Sequence, residues 1–215
     1  MGSNNTFRKS RFHDEKGNLV DCAGLLYLPL ALGGALLRVF FNYRPTKPTI
    51  SFRATRVIDK ILQPHYKCVE FGSGMSTVWL AERCQFLLSR EDNNVWYEKI
   101  KNYLQRREYS HVQYEYCVGE KFACLDDFDS EYFDFAFIDG WDRAGCISSA
   151  LSRIKKGGWL YLDNSDKDMQ NPNGDMRRAE TLLTEYAKEH RTEIKYFVDF
   201  SRTNFFVEQG LLVQI

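Results

Sequence analysis

The spacing of apolar residues changes along the chain, and the change separates strands from helices. After Pro64, short apolar runs alternate with longer segments in which apolar residues recur every three or four positions. The short runs predict buried strands, and the longer spacing predicts amphipathic helices. The predicted strands cover residues 68–71, 85–89, 112–118, 133–138 and 159–162, and the predicted helices cover 76–83, 94–107, 147–154 and 176–190. This alternation predicts a mostly parallel sheet with helices on both faces.

The two ends of the chain depart from this alternation. Residues 194–200 and 204–207 are two predicted strands joined by a tight turn, which indicates an antiparallel hairpin at one edge of the sheet. Residues 1–21 form a predicted polar tail, and residues 22–48 an apolar helical segment ending in a proline-punctuated linker. A helix over 52–62 follows, and Gly157-Gly158 is expected to end the helix at 147–154. The sequence thus predicts a doubly wound α/β domain over 49–215, with a mostly parallel seven-stranded sheet, and an N-terminal helical extension over 1–48.

Composition narrows the class of protein. Hydrophobic residues make up 44% of the chain and charged residues 27%, the balance of a globular protein. Lys+Arg and Asp+Glu both number 29, so the net charge is zero, which disfavours nucleic acid as the main partner. The six cysteines include no C-x-x-C pair, which favours reduced structural thiols and a cytoplasmic location.

The apolar segment at 22–41 is the one membrane-like feature of the sequence. Its apolar stretch over residues 22–37 is about 16 residues long, shorter than the ~20 apolar residues that a spanning helix needs, and it is interrupted by Pro29 and by Gly33-Gly34. We therefore expect no transmembrane span. The segment is expected to pack on the domain, with a homo-oligomer contact or a peripheral membrane contact as the alternatives.

A glycine-containing loop connects the first predicted strand to the first helix of the alternating region. Gly72 and Gly74 allow a tight turn and a close approach of the backbone to a ligand. A dinucleotide-binding loop has a third glycine where this chain has Thr77, and a P-loop needs a Gly-Lys pair that is missing. Glu70 suits a ligand with an amino group and a sulfonium better than a pyrophosphate. About twenty residues on, Glu91 follows the second strand, where a carboxylate accepts hydrogen bonds from ribose hydroxyls.

Taken together, the loops resemble those of class I S-adenosylmethionine-dependent methyltransferases. The resemblance covers about residues 50–207 and rests on Glu70–Gly74 with Ser76-Thr77, Glu91, Gly119-Glu120, Phe137–Gly140 and Leu162–Asn164. It implies that the cofactor is S-adenosylmethionine. The cofactor-binding residues that it implies are Glu70, Phe71, Gly72, Ser73, Gly74, Ser76, Thr77, Glu91, Asp92, Trp96, Gly119, Glu120 and Asp139.

Oxygen ligands follow the fourth and fifth predicted strands. Asp139 ends one strand, and Asp163-Asn164 ends the next, so these side chains are expected to converge beyond the sheet. The layout is similar to that of the catechol O-methyltransferase-like group, and the similarity implies a Mg²⁺ site in which these three residues are catalytic. Where that group has a basic lysine, this chain has Asp142, which leaves the proton acceptor open. The alternative is that Asp139 is part of a turn and Asp163-Asn164 caps a loop.

The sequence predicts an S-adenosylmethionine-dependent methyltransferase acting on an oxygen of a small-molecule or sugar-like acceptor, with Mg²⁺ assistance as a further hypothesis. A nucleic-acid amino methyltransferase is disfavoured because the chain has no Asn-Pro-Pro-Tyr-like motif. Two alternatives belong to other classes of protein. One is a non-catalytic binding or scaffold protein with the same fold, and the other is an NAD-dependent oxidoreductase, which Thr77 and Glu70 disfavour.

Overall fold

The computed structural model describes residues 8–215, and the first seven residues of the predicted polar tail lie outside the described residues. Seven strands form one sheet: β1 (Lys67–Phe71), β2 (Phe86–Glu91), β3 (Val112–Tyr116), β4 (Phe133–Ile138), β5 (Ile154–Leu162), β6 (Ile194–Phe200) and β7 (Val207–Gln214). The helices are α1 (Cys22–Leu25), α2 (Leu28–Phe41), α3 (Phe52–Ile61), α4 (Met75–Ala81), α5 (Asn94–Gln105), α6 (Arg143–Leu151) and α7 (Asp175–His190), with a 3₁₀ turn at Gly119–Lys121.

The strand order is β3-β2-β1-β4-β5-β7-β6. Neighbouring strands from β3 to β5 pair in parallel, whereas β7 runs antiparallel to both β5 and β6. The doubly wound, mostly parallel seven-stranded sheet with an antiparallel edge hairpin is therefore confirmed. The strand order reverses between β1 and β4, and open α/β sheets bind ligands beyond the carboxyl ends of the strands at such a point.

Both faces of the sheet are buried at its central strand β4, which explains why β4 is a nearly continuous apolar run. On β4, Ala136 and Ile138 belong to the core cluster that includes residues of α6 and α7. Phe135 and Phe137 point the other way and pack in the cluster that includes residues of α3 and α4. All four side chains are fully buried.

The largest differences from the predicted element boundaries lie at two places in the chain. Helix α6 ends at Leu151, and Gly157-Gly158 lies inside β5, where the pairing with β4 shifts register between Phe133 and Phe135. The last strand covers Val207–Gln214 instead of 204–207, so the predicted tight turn is a longer connection. Gly210 interrupts the apolar pattern of this strand in the sequence. Glycine is needed there because a Cβ at Gly210 would lie 2.1 Å from the hydroxyl of Tyr161.

The segment before the sheet is folded onto the strand pair β6–β7. Asp14 and Val20 are buried, although residues 8–21 are mostly polar in sequence. Asp199 of β6 holds the start of α3, because its carboxylate accepts hydrogen bonds from the backbone N–H of Phe52 and from Nε of Arg53 at 3.0 and 2.8 Å. Within residues 8–215, no helix is both long enough and apolar enough to cross a membrane.

Candidate active site

The turn after β1 requires glycine at one position, and a second glycine, which follows β4, packs against it. Gly72 has a φ of +90°, in the left-handed region that favours glycine. A Cβ at Gly72 would lie 2.5 Å from the backbone nitrogen of Gly140, and a Cβ at Gly140 would lie 2.8 Å from that of Gly72. Gly74 has extended backbone (φ −173°), and a Cβ added at Gly74 would lie no closer than 3.4 Å to its nearest neighbour, Ser76 Oγ. The tight turn is therefore built on Gly72 and Gly140, and the conformation of Gly74 does not demand glycine.

Glu70 lies beneath this turn and holds it to the neighbouring elements. Its Oε2 accepts hydrogen bonds from the hydroxyls of Thr77 and Ser89 at 2.6 and 2.5 Å. Thr77 Oγ1 also accepts a hydrogen bond from the backbone N–H of Gly74 at 2.9 Å. Thr77, where a dinucleotide-binding loop would have glycine, thus connects the turn to a buried carboxylate. Glu70 itself is fully buried and does not line the pocket described below.

The environment of Glu70 favours its protonated form. Burial raises the pKa of this carboxyl to about 7, although the hydroxyls of Ser76, Ser89 and Thr77 act in the opposite direction. Because the pKa is higher in the folded state than in the unfolded chain, the folded state binds more protons. The contribution of Glu70 to the free energy of unfolding is therefore fully present below about pH 4.5 and is lost as the pH rises through about 7.

Replacing Glu70 by glutamine, which resembles the protonated carboxyl, is expected to remove this pH dependence. One pKa unit corresponds to about 1.4 kcal/mol. As the pH is raised from 4.5 to 8, the free energy of unfolding of the glutamine variant should therefore rise by up to about 3 kcal/mol relative to that of the wild type. Urea unfolding at both pH values measures the difference. The same substitution at the exposed Glu98 is the control, and equal pH slopes for the wild type and Glu70→Gln would contradict the assigned protonation.

Glu91 and Ser73 bring the ends of β1 and β2 together. Glu91 Oε2 accepts hydrogen bonds from the backbone N–H and the hydroxyl of Ser73 at 2.9 and 2.6 Å, and Oε1 accepts one from the N–H of Asn93 at 2.9 Å. Trp96 donates from its indole nitrogen to the carbonyl of Ser73 at 2.5 Å. Burial raises the pKa of Glu91. The carboxylate is therefore fixed next to the glycine turn, and both of its oxygens accept hydrogen bonds from within the protein.

A pocket of about 320 Å³ opens beyond the carboxyl ends of β1, β4 and β5. Seven residues that the sequence analysis named line it: Ser73, Gly74, Ser76, Trp96, Asp139, Asp163 and Asn164. Residues that the sequence analysis did not name complete the wall: Arg38, Arg44, Thr49, Met75, Lys167, Asn204 and Glu208. The lining is mostly polar and includes three cationic side chains and three carboxylates.

The other named residues are placed differently. Phe71, Thr77 and Glu91 are buried behind the pocket, while Asp92, Gly119 and Glu120 do not line it. Gly119 and Glu120 are exposed on the 3₁₀ turn after β3. Among the unnamed residues, Arg38 carried a usable sequence feature, because it is the only charged residue of the apolar segment 22–41.

The carboxylates of the pocket interact strongly with one another and with two cations. Asp139 forms an ion pair with Arg143 at 3.3 Å, and Asp163 Oδ1 accepts a hydrogen bond from the hydroxyl of Tyr161 at 3.0 Å. Burial raises the pKa of Asp139, and the charges of Arg143 and Lys167 oppose this. Burial and the charge of Asp139 raise the pKa of Asp163 well above its ordinary value. The pair thus places Asp139, whose pKa is raised less, beside Asp163, which favours its protonated form.

The predicted Mg²⁺ role of Asp139, Asp163 and Asn164 is not supported by this arrangement. The three side chains do line one pocket, but Asp139 is already paired with Arg143, and the charge of Lys167 also acts on both aspartates. The cations next to the two aspartates therefore disfavour Mg²⁺ at this donor set, and the Mg²⁺ site stays a prediction.

Comparison with solved structures decides the fold. An O-methyltransferase from Bacillus cereus, determined in complex with S-adenosylhomocysteine, superimposes with a TM-score of 0.63 and 14% identity, over 87% of this chain and 99% of that chain. The protein has the class I S-adenosylmethionine methyltransferase fold. An rRNA methylase from Streptococcus thermophilus matches with a TM-score of 0.57 and 17% identity, over 80% of this chain and 98% of the other.

The methyltransferase fold alone does not decide the reaction. A spermidine synthase from Thermotoga maritima also matches, with a TM-score of 0.53 and 14% identity, over 72% of this chain and 55% of that chain. No protein-family model and no curated protein sequence matches the chain. The substrate must therefore be argued from the residues of the pocket.

Proposed function

We propose that the protein is an S-adenosylmethionine-dependent methyltransferase that methylates an oxygen of a small, polar acceptor. The observation that carries this proposal is the convergence of the turn after β1 with Asp139 in one pocket. Ser73, Gly74 and Ser76 line the side of the pocket formed by the end of β1, and Asp139 and Asp163 line the side formed by the ends of β4 and β5. A methyl donor on the first side would face an acceptor held against the second.

The residues at the glycine turn fit this cofactor. S-adenosylmethionine, when bound, supplies a methyl group on a sulfonium. The backbone of Gly72–Gly74 and the hydroxyl of Ser76 would bind the methionine part, beside the carboxyl of Glu70 beneath the turn. Glu91 would accept hydrogen bonds from both ribose hydroxyls, exchanging its bond from the Ser73 hydroxyl for bonds to the ligand. Asp92, Trp96, Gly119 and Glu120 would flank the adenosine.

Asp139 is the group that we assign to the acceptor hydroxyl. Its carboxylate lines the pocket and has a raised pKa, which makes it a better proton acceptor than an ordinary aspartate. Arg143 fixes its orientation through the ion pair at 3.3 Å. Asp163 and Asn164 would hydrogen-bond the acceptor on the neighbouring strand end. The protein otherwise contributes alignment of the two reactants and exclusion of water.

The pocket favours a hydroxyl-rich, sugar-like acceptor over an apolar one. Arg38 and Lys167 donate hydrogen bonds, Glu208 accepts them, and Asn204 does both. The zero net charge argues against nucleic acid, even though one structural neighbour is an rRNA methylase. All six cysteines are free, which is consistent with the cytoplasmic location that we also propose. A scaffold protein that binds the cofactor without turnover is the alternative, and a turnover assay separates the two.

Replacing Glu91 by alanine is expected to weaken S-adenosylmethionine binding at least about tenfold, because each hydrogen bond to a charged group contributes about 1.5–3 kcal/mol. Calorimetric titration of the wild type and the variant with S-adenosylmethionine, S-adenosylhomocysteine and NAD measures the effect. Glu98→Ala, which removes an exposed carboxylate of α5, is the matched control. If Glu91→Ala binds with unchanged affinity, or if NAD binds in preference, the cofactor assignment is wrong.

A further inference from the structure

Helices α1 and α2 carry most of the exposed apolar surface. Ten of the 18 large apolar side chains that residues 8–215 expose lie between Leu25 and Tyr43. Val39, Phe40 and Phe41 are each more than 70% exposed. Contiguous apolar surface of this kind marks a site of interaction with a protein or a membrane, whereas isolated exposed apolar residues need no explanation.

Helix α2 rests on the domain through one narrow stripe. Ala31 is fully buried, a Cβ at Gly34 would lie 1.9 Å from the carbonyl oxygen of Arg202, and Arg38 donates to the carbonyl of Thr203 at 3.4 Å. Positions 31, 34 and 38 lie on one face of a helix. The opposite arc covers about 200° at 3.6 residues per turn and contains only apolar residues. We call this arc the apolar ridge; its most exposed large side chains are Leu30, Leu36, Leu37, Val39, Phe40 and Phe41.

The charges beside the apolar ridge are of one sign. Residues 22–58 include Arg38, Arg44, Lys47, Arg53 and Arg56 but no Asp or Glu, in a chain whose net charge is zero. Arg53 is paired with Asp199 and with Asp21, the residue before α1, and Arg44 stacks on Trp96, while Lys47 is exposed after the helix. The positive charge of residues 22–58 is not balanced by an acidic residue within them, which complements an anionic surface.

The width of the apolar ridge and the charge beside it indicate which kind of partner binds there. A second copy of α2 packed against the first would cover a stripe of about 100°, which leaves about half of the exposed arc in water. A lipid surface surrounds a protruding helix from three sides and accommodates the whole arc. The helix has 14 residues, too few to span a bilayer but suited to lying in its surface.

We infer that the apolar ridge of α2 docks the protein on an anionic lipid surface. The helix lies in the plane of the surface, its apolar arc enters the boundary between headgroups and acyl chains, and the exposed Lys47 contacts anionic headgroups. Arg38 and Arg44 also line the pocket, so the docking helix forms one of its walls. The inference rests on the ridge and its charges and does not depend on which acceptor is methylated.

Vesicle flotation of the full chain tests the inference. Large unilamellar vesicles of phosphatidylcholine alone are compared with vesicles that contain phosphatidylserine, at low and at high salt. The wild type is expected to float with the phosphatidylserine vesicles and to dissociate at high salt. The double variant Val39→Ser/Phe40→Ser should bind at least about tenfold more weakly, and Lys47→Glu should also weaken binding. Both sites are exposed, and thermal unfolding checks that the variants remain folded.

Val95→Ser is the matched control, because Val95 is 80% exposed but lies on α5; its flotation should equal that of the wild type. Sedimentation equilibrium without lipid gives the oligomeric state. A wild-type dimer that becomes monomeric in Val39→Ser/Phe40→Ser, with no flotation on either vesicle, would show that a second copy covers the ridge and would overturn the inference. Flotation that is equal with and without phosphatidylserine would overturn the role of the cations.

Discussion

Asp139→Asn is expected to lower the turnover number by about 10²- to 10⁴-fold, the usual contribution of a general base, with little change in the affinity for S-adenosylmethionine. Asparagine keeps the shape of the side chain but removes the charge that accepts the proton and pairs with Arg143. Production of S-adenosylhomocysteine with a panel of sugar and small-molecule hydroxyl acceptors measures turnover, and calorimetry measures cofactor affinity. A loss confined to turnover places Asp139 at the acceptor.

Asp142→Asn is the matched control for this prediction. Asp142 lies three residues further along, caps α6 by accepting a hydrogen bond from the N–H of Gly145, and does not line the pocket. Its variant should keep wild-type turnover. A chelator in the same assay tests the Mg²⁺ hypothesis, and we expect no effect, since Arg143 is already paired with Asp139. Wild-type turnover in Asp139→Asn would contradict the assigned role of this residue.

Gly72→Ala should destabilise the protein by about 2–6 kcal/mol. Two costs add: a left-handed backbone conformation at a residue other than glycine costs about 1–3 kcal/mol, and overpacking costs about 1–3 kcal/mol. The added Cβ would lie 2.5 Å from the nitrogen of Gly140, a backbone atom that no side-chain rotation can move. Cofactor binding should weaken as well, because the turn would have to open. Urea unfolding and calorimetry measure the two effects.

Gly157→Ala separates the two costs. Gly157 has a φ of +81°, close to that of Gly72, but an added Cβ at Gly157 would have no neighbour within 4 Å. This variant should therefore lose only the about 1–3 kcal/mol that the backbone conformation costs. If the two variants lose equal stability, the contact between Gly72 and Gly140 is not the constraint that shapes the turn.

The order of strands and helices followed from the sequence because each element buries a local pattern. The run from Phe133 to Ile138 is apolar at nearly every position, as expected of a strand covered on both faces, and the structure places it at the centre of the sheet. The boundaries that failed were at glycines. Gly157-Gly158 lies within β5 and Gly210 within β7, because glycine is required there by a left-handed turn and by the close approach of Tyr161.

The glycine turn and the carboxylates at the strand ends were accessible from residue type and spacing, since parallel strands bring their carboxyl ends to one edge of the sheet. The wall of the pocket was not accessible in this way. Arg38 and Glu208 are 170 positions apart in sequence and meet only because the extension before the sheet folds back onto its last strands. Nor could spacing show that Glu70 is buried while Asp139 is open to the pocket. Local periodicity fixes which face of an element is apolar, but the contacts between distant elements, and with them burial and charge pairing, depend on how those faces pack.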